Sequence, residues 1–272
     1  MGASPAIGSW HHRRVDAGFT KRRSGPEARD FFVTEAAGLD WLRPSGAPPV
    51  PRVLALGHHS ITIQRVPAGR PDASAAEELG RSLAALHSSG APAFGSPPPG
   101  APRSHGWIGD LTMPYAQRET FTQLWAEDRV RATAVLAARR GSLSSEQLRV
   151  VDRFADDLLA GSVDVGPPEP PARLHGDLWS GNVVWAADGL AWLIDPAAHG
   201  GHRESDLAML ALFGAPELDR ILAAYDEVAP LAAGWRARVP LHQVWPLLVH
   251  TALFGGGYAA QAMSAIRSAR RA

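Results

Sequence analysis

The sequence predicts an α+β fold, with a small β-rich portion first and a larger helical portion after it. Three observations carry this expectation. Strand-like apolar runs gather in residues 1–66 around one helical segment. From residue 73 onward, apolar residues recur at helical spacing in segment after segment. The stretch 173–196 interrupts that pattern with a turn-rich segment and two short apolar strands. At 272 residues, 45% of them hydrophobic, the chain suits one large domain or two lobes sharing a cleft. The division is expected at 1–66 and 67–272, with Pro67-Ala-Gly69 as the hinge.

Composition narrows the function classes. Twenty-seven basic and 27 acidic side chains cancel, which leaves no electrostatic footprint for nucleic acid or an anionic membrane. There is no apolar run of eighteen residues and no apolar segment of the signal-peptide kind at the N-terminus, so no membrane association is expected. Zero cysteines exclude disulfides, thiol catalysis and Cys-ligated zinc or iron–sulfur clusters. The 27 Gly and 23 Pro predict many turns, and nine Trp with the aliphatics supply a core.

The elements follow in order. Ser9–Val15 and Phe19–Arg23 read as strands turned at Asp16-Ala-Gly18. Residues 29–42 read as a helix, with Phe32, Ala36, Leu39 and Leu42 on one face and Pro44 and Gly46 beyond its end. Residues 53–56 and 60–66 are two strands turned at Gly57-His-His59. Residues 73–87 form a helix with Leu79, Leu83 and Leu86 inward, and 90–103 a Pro/Gly-rich surface loop. Residues 104–114 are expected as a further loop, whose Trp107 either lines a cleft or anchors the loop. Helices are expected over 121–140, 143–159, 206–213, 217–225, 243–253 and 258–270.

Residues 173–196 hold the chemistry. Asp177 and Asn182 lie five apart on a segment broken by His-Gly and Ser-Gly pairs. Val183–Trp185 and Leu190–Ile194 read as strands joined through Asp188-Gly189, a strong hairpin signal, and Asp195 stands at the end of the second. A loop carboxylate, a loop amide and a strand-end carboxylate therefore converge. Phosphoryl transfer to a hydroxyl needs that set: one carboxylate to take the hydroxyl proton and an oxygen-rich pair to hold Mg²⁺ against nucleotide phosphates. His175, His199 and His202 raise the alternative of a zinc site. The absence of Cys and the glycines between them count against it.

The order His175-Gly-Asp177, Asn182, Asp195 resembles the catalytic loop and metal-binding Asp of the protein-kinase-like fold, in its aminoglycoside-phosphotransferase branch. The fuller string is His-Gly-Asp-Leu-Trp-Ser-Gly-Asn, then Ile-Asp-Pro-Ala and Arg203-Glu-Ser-Asp206-Leu-Ala. It is similar to the fructosamine kinase (ketosamine 3-kinase) family. Aminoglycoside and choline kinases usually lack the Trp-Ser pair. The resemblance implies a two-lobed fold with the catalytic hairpin at the cleft. It also implies ATP and Mg²⁺, Asp177 as base, and Asn182 and Asp195 as metal ligands. Lys21 would bind the phosphates, steadied by Glu35, and adenine would meet backbone groups near Gln64 to Val66. The alternative for Lys21 is a solvated basic strand end, and periodicity alone makes Glu35 an ordinary surface residue.

Trp179 would stack on the acceptor sugar, its alternative being a core aromatic under the loop. Trp107 falls on the acceptor side. Asp206 is expected to cap its helix and to hold the catalytic-loop backbone. The acceptor implied is the 3-hydroxyl of a fructosamine or ribulosamine, free or protein-bound, in a deglycation step by a cytoplasmic monomer. An aminoglycoside or choline-type phosphotransferase, or a degenerate nucleotide-binding protein, remain alternatives. The sequence departs from the family at Gly2–Gly8, which is not a G-x-G-x-x-G loop, and at His202, where Asp is common.

Overall fold

The computed structural model describes residues 13–15 and 18–272. The Gly2–Gly8 stretch and the Asp16-Ala17 turn lie outside them. Strands β1 (Arg13–Val15), β2 (Gly18–Arg22), β3 (Val53–Leu56) and β4 (Ser60–Gln64) form one antiparallel sheet in the order β1-β2-β4-β3. Lys21 stands opposite Ile61 in its register. Helix α1 (Ala28–Trp41) covers the sheet, laying Phe32 and Leu39 against Ile61 and Ile63, all essentially buried. Its bounds agree with the periodicity of its apolar residues.

The rest of the chain is mostly helical. Helix α2 (Ala73–Ser88) starts at Asp72, whose carboxylate accepts the Ala75 N–H at 2.9 Å. A helical run follows as α3 (Phe121–Gln123), a π-helical stretch (Leu124–Arg131) and α4 (Ala132–Arg139). Then come α5 (Ser145–Leu159), α6 (Arg203–Leu212), α7 (Leu218–Val228), α8 (Trp235–Phe254) and α9 (Tyr258–Ala269). Three two-stranded units complete it: β5 (His105–Ile108) with β6 (Leu111–Pro114), β8 (Val183–Trp185) with β9 (Ala191–Leu193), and β7 (Ala172–Leu174) with β10 (His199–Gly201). None of the helices of the described residues is long and apolar enough to cross a membrane.

Several features differ from the expected elements. Residues 105–114 are a hairpin turned at Gly109-Asp110 rather than a loop. The 121–140 helix is π-wound for two turns. Helix α8 begins at Trp235, eight residues early, and runs through Pro240 and Pro246. Each proline forfeits one helical hydrogen bond, and burial of Leu241, Val244, Trp245 and Leu248 holds the helix together. Finally, Pro67–Gly69 is strapped to the β8–β9 hairpin: Gly69 N–H donates to Trp185 O (2.6 Å) and Ala187 N–H to Pro67 O (2.9 Å).

Two apolar cores result. One runs from the sheet through α2, the β8–β9 hairpin and α7, joining Phe32 and Ile61 to Leu83, Leu193 and Tyr225. The other lies among the π-stretch, α5, α8 and α9, around Trp125, Phe154, Trp245 and Ile266. The first core thus passes from the β-rich portion into the helical one without a break.

Helices α2 and α7 approach through Gly80. A Cβ there would sit 2.2 Å from Ile221 O and 2.9 Å from Tyr225 N, both backbone atoms that cannot swing aside. Gly80→Ala should therefore reverse the usual gain of about 1 kcal/mol for a helical Gly→Ala change. It should instead destabilise by about 1–3 kcal/mol, as overpacking does; a urea denaturation midpoint unchanged or raised would contradict this packing. A second outcome concerns His199, buried in β10 with its Nδ1 against Ala197 O at 2.8 Å. Burial, aided by the Arg129 guanidinium, pushes its pKa down to about 3. The unfolded chain, near 6.5, takes the proton first. Stability should be full above pH 6.5 and fall as pH drops towards 3, by about 2 kcal/mol at pH 5 from this group. Denaturation at pH 7.5 and 5.0 should show one proton less of this dependence in His199→Gln.

Candidate active site

The loop between β7 and β8 is shaped by its backbone. Gly176 has φ 82°, and a Cβ on it would lie 2.2 Å from Ala197 O, so only glycine fits. On either side, the N–H groups of His175 and Gly176 donate to the two oxygens of Asp206, at 2.7 and 2.9 Å. His175 Nε2 donates to Ile194 O (2.9 Å), which leaves Nδ1 to accept the Asp177 N–H at 3.3 Å. A 3₁₀ turn (Ser180–Asn182) then leads into β8. Asn182 Nδ2 donates to Asp177 O (2.8 Å) and Asp177 Oδ2 (3.1 Å).

Asp206 holds the loop backbone as expected, but it does not cap α6. That helix begins three residues earlier, and the capping acceptor is His202 Nδ1, which takes the Glu204 N–H at 3.3 Å. Asp206 is fully internal and bonded by His87 Nε2 (3.2 Å), while His87 Nδ1 meets Tyr225 OH (2.9 Å). Burial would raise the Asp206 pKa; the hydrogen bond and charge of His87, with His175 and the Gly176 N–H, bring it below the ordinary value. His87 is therefore part of a buried polar chain.

Asp195 follows β9 with φ 54°, a left-handed conformation that turns its carboxylate back toward β2. There it pairs with Lys21 Nζ. Lys21 also meets Glu35 Oε1 at 2.5 Å, and both Lys21 and Glu35 are more than nine-tenths buried. Burial alone would lower the lysine pKa, but the two carboxylates hold it above its ordinary value, so Nζ stays charged. The readings of Lys21 as a solvated strand end and of Glu35 as a surface residue do not hold.

These groups open on a cavity of about 420 Å³, lined by Lys21, Glu35, Asp177, Asn182 and Asp195 on its polar side. Burial pushes the Asp177 carboxyl up to about 7; the Asn182 hydrogen bond opposes this, and the nearby Asp195 and Asp206 add to it. The acceptor amide of Asn182 and the two carboxylates are hard oxygen donors on one wall, a set that fits Mg²⁺.

Trp179, 37% exposed, stands in the cavity wall with its edge on Phe213, so it is not a core aromatic. Trp107 lines the cavity and anchors β5 against Phe31 (ring centroids 5.6 Å apart). Gln64 and Val66 are not among the lining residues, and the Gln64 N–H is taken by Arg52 O at 2.7 Å. Phe31, Asp110, His250 and Phe254 also line the cavity. None of the four carries a motif in the sequence. His175, His199 and His202 do not converge: the first two bond to Ile194 O and Ala197 O.

Comparison with known proteins gives a consistent picture. A family model described as fructosamine kinase matches residues 9–271. A "probable ketoamine kinase" of Enterococcus faecium is 33% identical over 240 residues, 86% of this chain and 80% of its own. One of Thermus thermophilus is 34% identical over 229 residues, 84% of this chain and 78% of its own. The crystal structure of a candidate fructosamine-3-kinase from Thermobifida fusca superposes with a TM-score of 0.85 at 43% identity, covering 98% of this chain and 94% of the other. The gentamicin complex of APH(2″)-IIa superposes at 0.60 with 13% identity, over 96% and 91% of the two chains, a likeness of fold alone. The fold is thus protein-kinase-like.

Asp206→Ala should strand the buried N–H groups of His175 and Gly176 and cost about 3 kcal/mol, the scale of lost hydrogen bonds to a buried charge. Hydrogen exchange should accelerate at those two amides before the global unfolding limit. Unchanged protection there would show that the loop holds itself.

Proposed function

The chain belongs to the fructosamine kinase family, and from that premise we propose that it transfers the γ-phosphoryl group of ATP to the 3-hydroxyl of a ketosamine carried on a lysine or a protein. The observation that carries this reading is the convergence of Asp177, Asn182 and Asp195 with the Lys21–Glu35 pair on one aromatic-walled cavity. Asp177 orients the acceptor hydroxyl and takes its proton as the hydroxyl oxygen bonds to the γ-phosphorus and the bond to the β–γ bridging oxygen breaks, releasing ADP. A carboxyl held near neutrality suits that task. Asn182 Nδ2 fixes the Asp177 carboxylate in place. Lys21, kept charged and steadied by Glu35, positions the phosphates. Asn182 and Asp195 would hold Mg²⁺, which when bound neutralises charge on the β- and γ-phosphates. The chemistry is chiefly positioning and charge neutralisation.

The acceptor side supports a ketosamine. Trp179 offers an indole face on which a sugar or linear polyol stacks. The remaining acid of the cavity wall among the described residues, Asp110, is engaged by Arg23 at 2.6 Å, which leaves no spare acidic cluster there for a polycationic aminoglycoside. By the family resemblance the 3-phosphate then decomposes and frees the amine, a deglycation-repair step.

The test is ATP consumption with Mg²⁺ against ribuloselysine, fructoselysine, an aminoglycoside and choline. Turnover on a ketosamine should fall by about 10³-fold in Asp177→Asn. Substantial turnover in that variant would sink the base assignment, and turnover on an aminoglycoside or choline alone would overturn the acceptor class.

A further inference from the structure

A second cluster lies outside the cleft, beneath α6. His202 and Glu204, at the start of α6, and His242 of α8 each bring one potential ligand atom, an imidazole nitrogen or a carboxylate oxygen, within 4.8 Å of the others. All three side chains are at least 96% buried. Among the described residues neither imidazole's Nε2 makes a well-aligned hydrogen bond, an unusual cost for two buried polar atoms. His242 Nε2 is 3.3 Å from Glu204 Oε2, and a second carboxylate, Glu169 Oε2, stands 3.8 Å from His202 Nε2. The rings are fixed from outside. Phe121 packs on both, at centroid distances of 4.9 and 5.3 Å, and Ser205 Oγ meets His242 Nδ1 at 2.9 Å.

We infer that His202, His242 and Glu204 form a binding site for a divalent transition-metal ion of the zinc class, with a water to complete a four-coordinate shell. The donor set decides the class. Glu204 is already bridged by Arg238 (2.7 and 3.0 Å) and Glu169 by Arg203 (2.7 Å twice), so the carboxylate charge is neutralised in advance. Affinity must then come from imidazole donation, which suits zinc and its neighbours and not Mg²⁺ or Ca²⁺. The arginines and Ser205 act as the outer partners that orient metal-binding carboxylates and imidazoles. Binding at Nε2 puts the ring proton on Nδ1, so the long 3.3 Å cap from the Glu204 N–H is released as the ion enters. Four residues past His202 is Asp206, which grips the loop bearing Asp177. The ion would tie α6 to α8 directly behind that grip.

The site does not depend on the acceptor proposed for the cleft, and its test reads metal rather than turnover. The full-length protein is loaded with Zn²⁺, freed of weakly held ion on a chelating resin, and measured by elemental analysis and thermal melting. One zinc per chain and a melting midpoint raised by roughly 5 °C are expected. Co²⁺ in its place should give the intense visible bands of four-coordinate cobalt. His242→Gln and His202→Asn, the latter a good helix cap that preserves folding, should each weaken zinc about 100-fold while the metal-free melting midpoint stays within a few degrees. His58→Ala with His59→Ala, on an exposed turn, should change nothing. No retained zinc and no shift in the wild type would overturn the inference, as would retention unaffected by His202→Asn and His242→Gln together. Either outcome would assign the space between the rings to water.

Discussion

The cleft depends on a buried carboxylate gripping a backbone. Asp206 accepts the N–H groups of His175 and Gly176 at 2.7 and 2.9 Å, and everything chemically active downstream takes its position from that grip. Gly176 can turn there only because it lacks a Cβ. The turn aims Asp177 at the cavity, and Asn182 locks the Asp177 carboxylate from the other end of the loop. Removing a carboxylate from water is costly unless its lone pairs are all used. Here two amides and His87 use them, and His87 leans in turn on Tyr225 of α7. The polar chain Tyr225–His87–Asp206 thus carries the position of the Asp177 loop back into the larger helical scaffold.

The opposite wall is organised by charge. Lys21 is buried between Glu35 and Asp195, so the strand, the helix above it and the end of the β8–β9 hairpin are held by one ammonium group. The apolar core follows the same route, running unbroken from Phe32 and Ile61 to Leu193 and Tyr225. A core that spans both portions explains how residues 174 positions apart in sequence keep ångström-scale registration. It also explains why the Pro67–Gly69 crossing is strapped to the hairpin.

Much of this was legible in the sequence, for reasons that differ by residue. The β8–β9 hairpin was readable because Asp188-Gly189 sits between two apolar triplets, and α1 and α2 because Phe32, Leu39, Leu79 and Leu83 keep helical spacing. The polar wall was readable because Asp177, Asn182 and Asp195 lie close together in the chain. What was missed has no local signal. His105–Ile108 and Leu111–Pro114 pair across Gly109 although Gly106 and Pro114 read as breakers. Residues 199–201 join β7 through backbone bonds that His-Gly-Gly does not advertise. Pro240 hid the first two turns of α8, where tertiary burial overrides propensity. The cap of α6 was misplaced because His202, an uncommon cap, does what Asp206 was expected to do. His242, forty residues from His202, meets it only in three dimensions.

The left-handed backbone at Asp195 reaches beyond this one molecule. Its φ of 54° is comfortable for glycine and tolerable for Asn and Asp, and strained for nearly every other residue. Pro196 behind it narrows the choice again by restricting the residue that precedes it. Only Asp among the tolerated three also supplies the negative charge that Lys21 faces. Glutamate would keep the charge and lose the conformation; asparagine would keep the conformation and lose the charge. A lineage carrying this fold therefore has no neutral single-step detour at position 195. Drift there ends either in a cleft without its second carboxylate beside Lys21 or in a distorted turn, so the position should hold its identity while the surface around it diversifies.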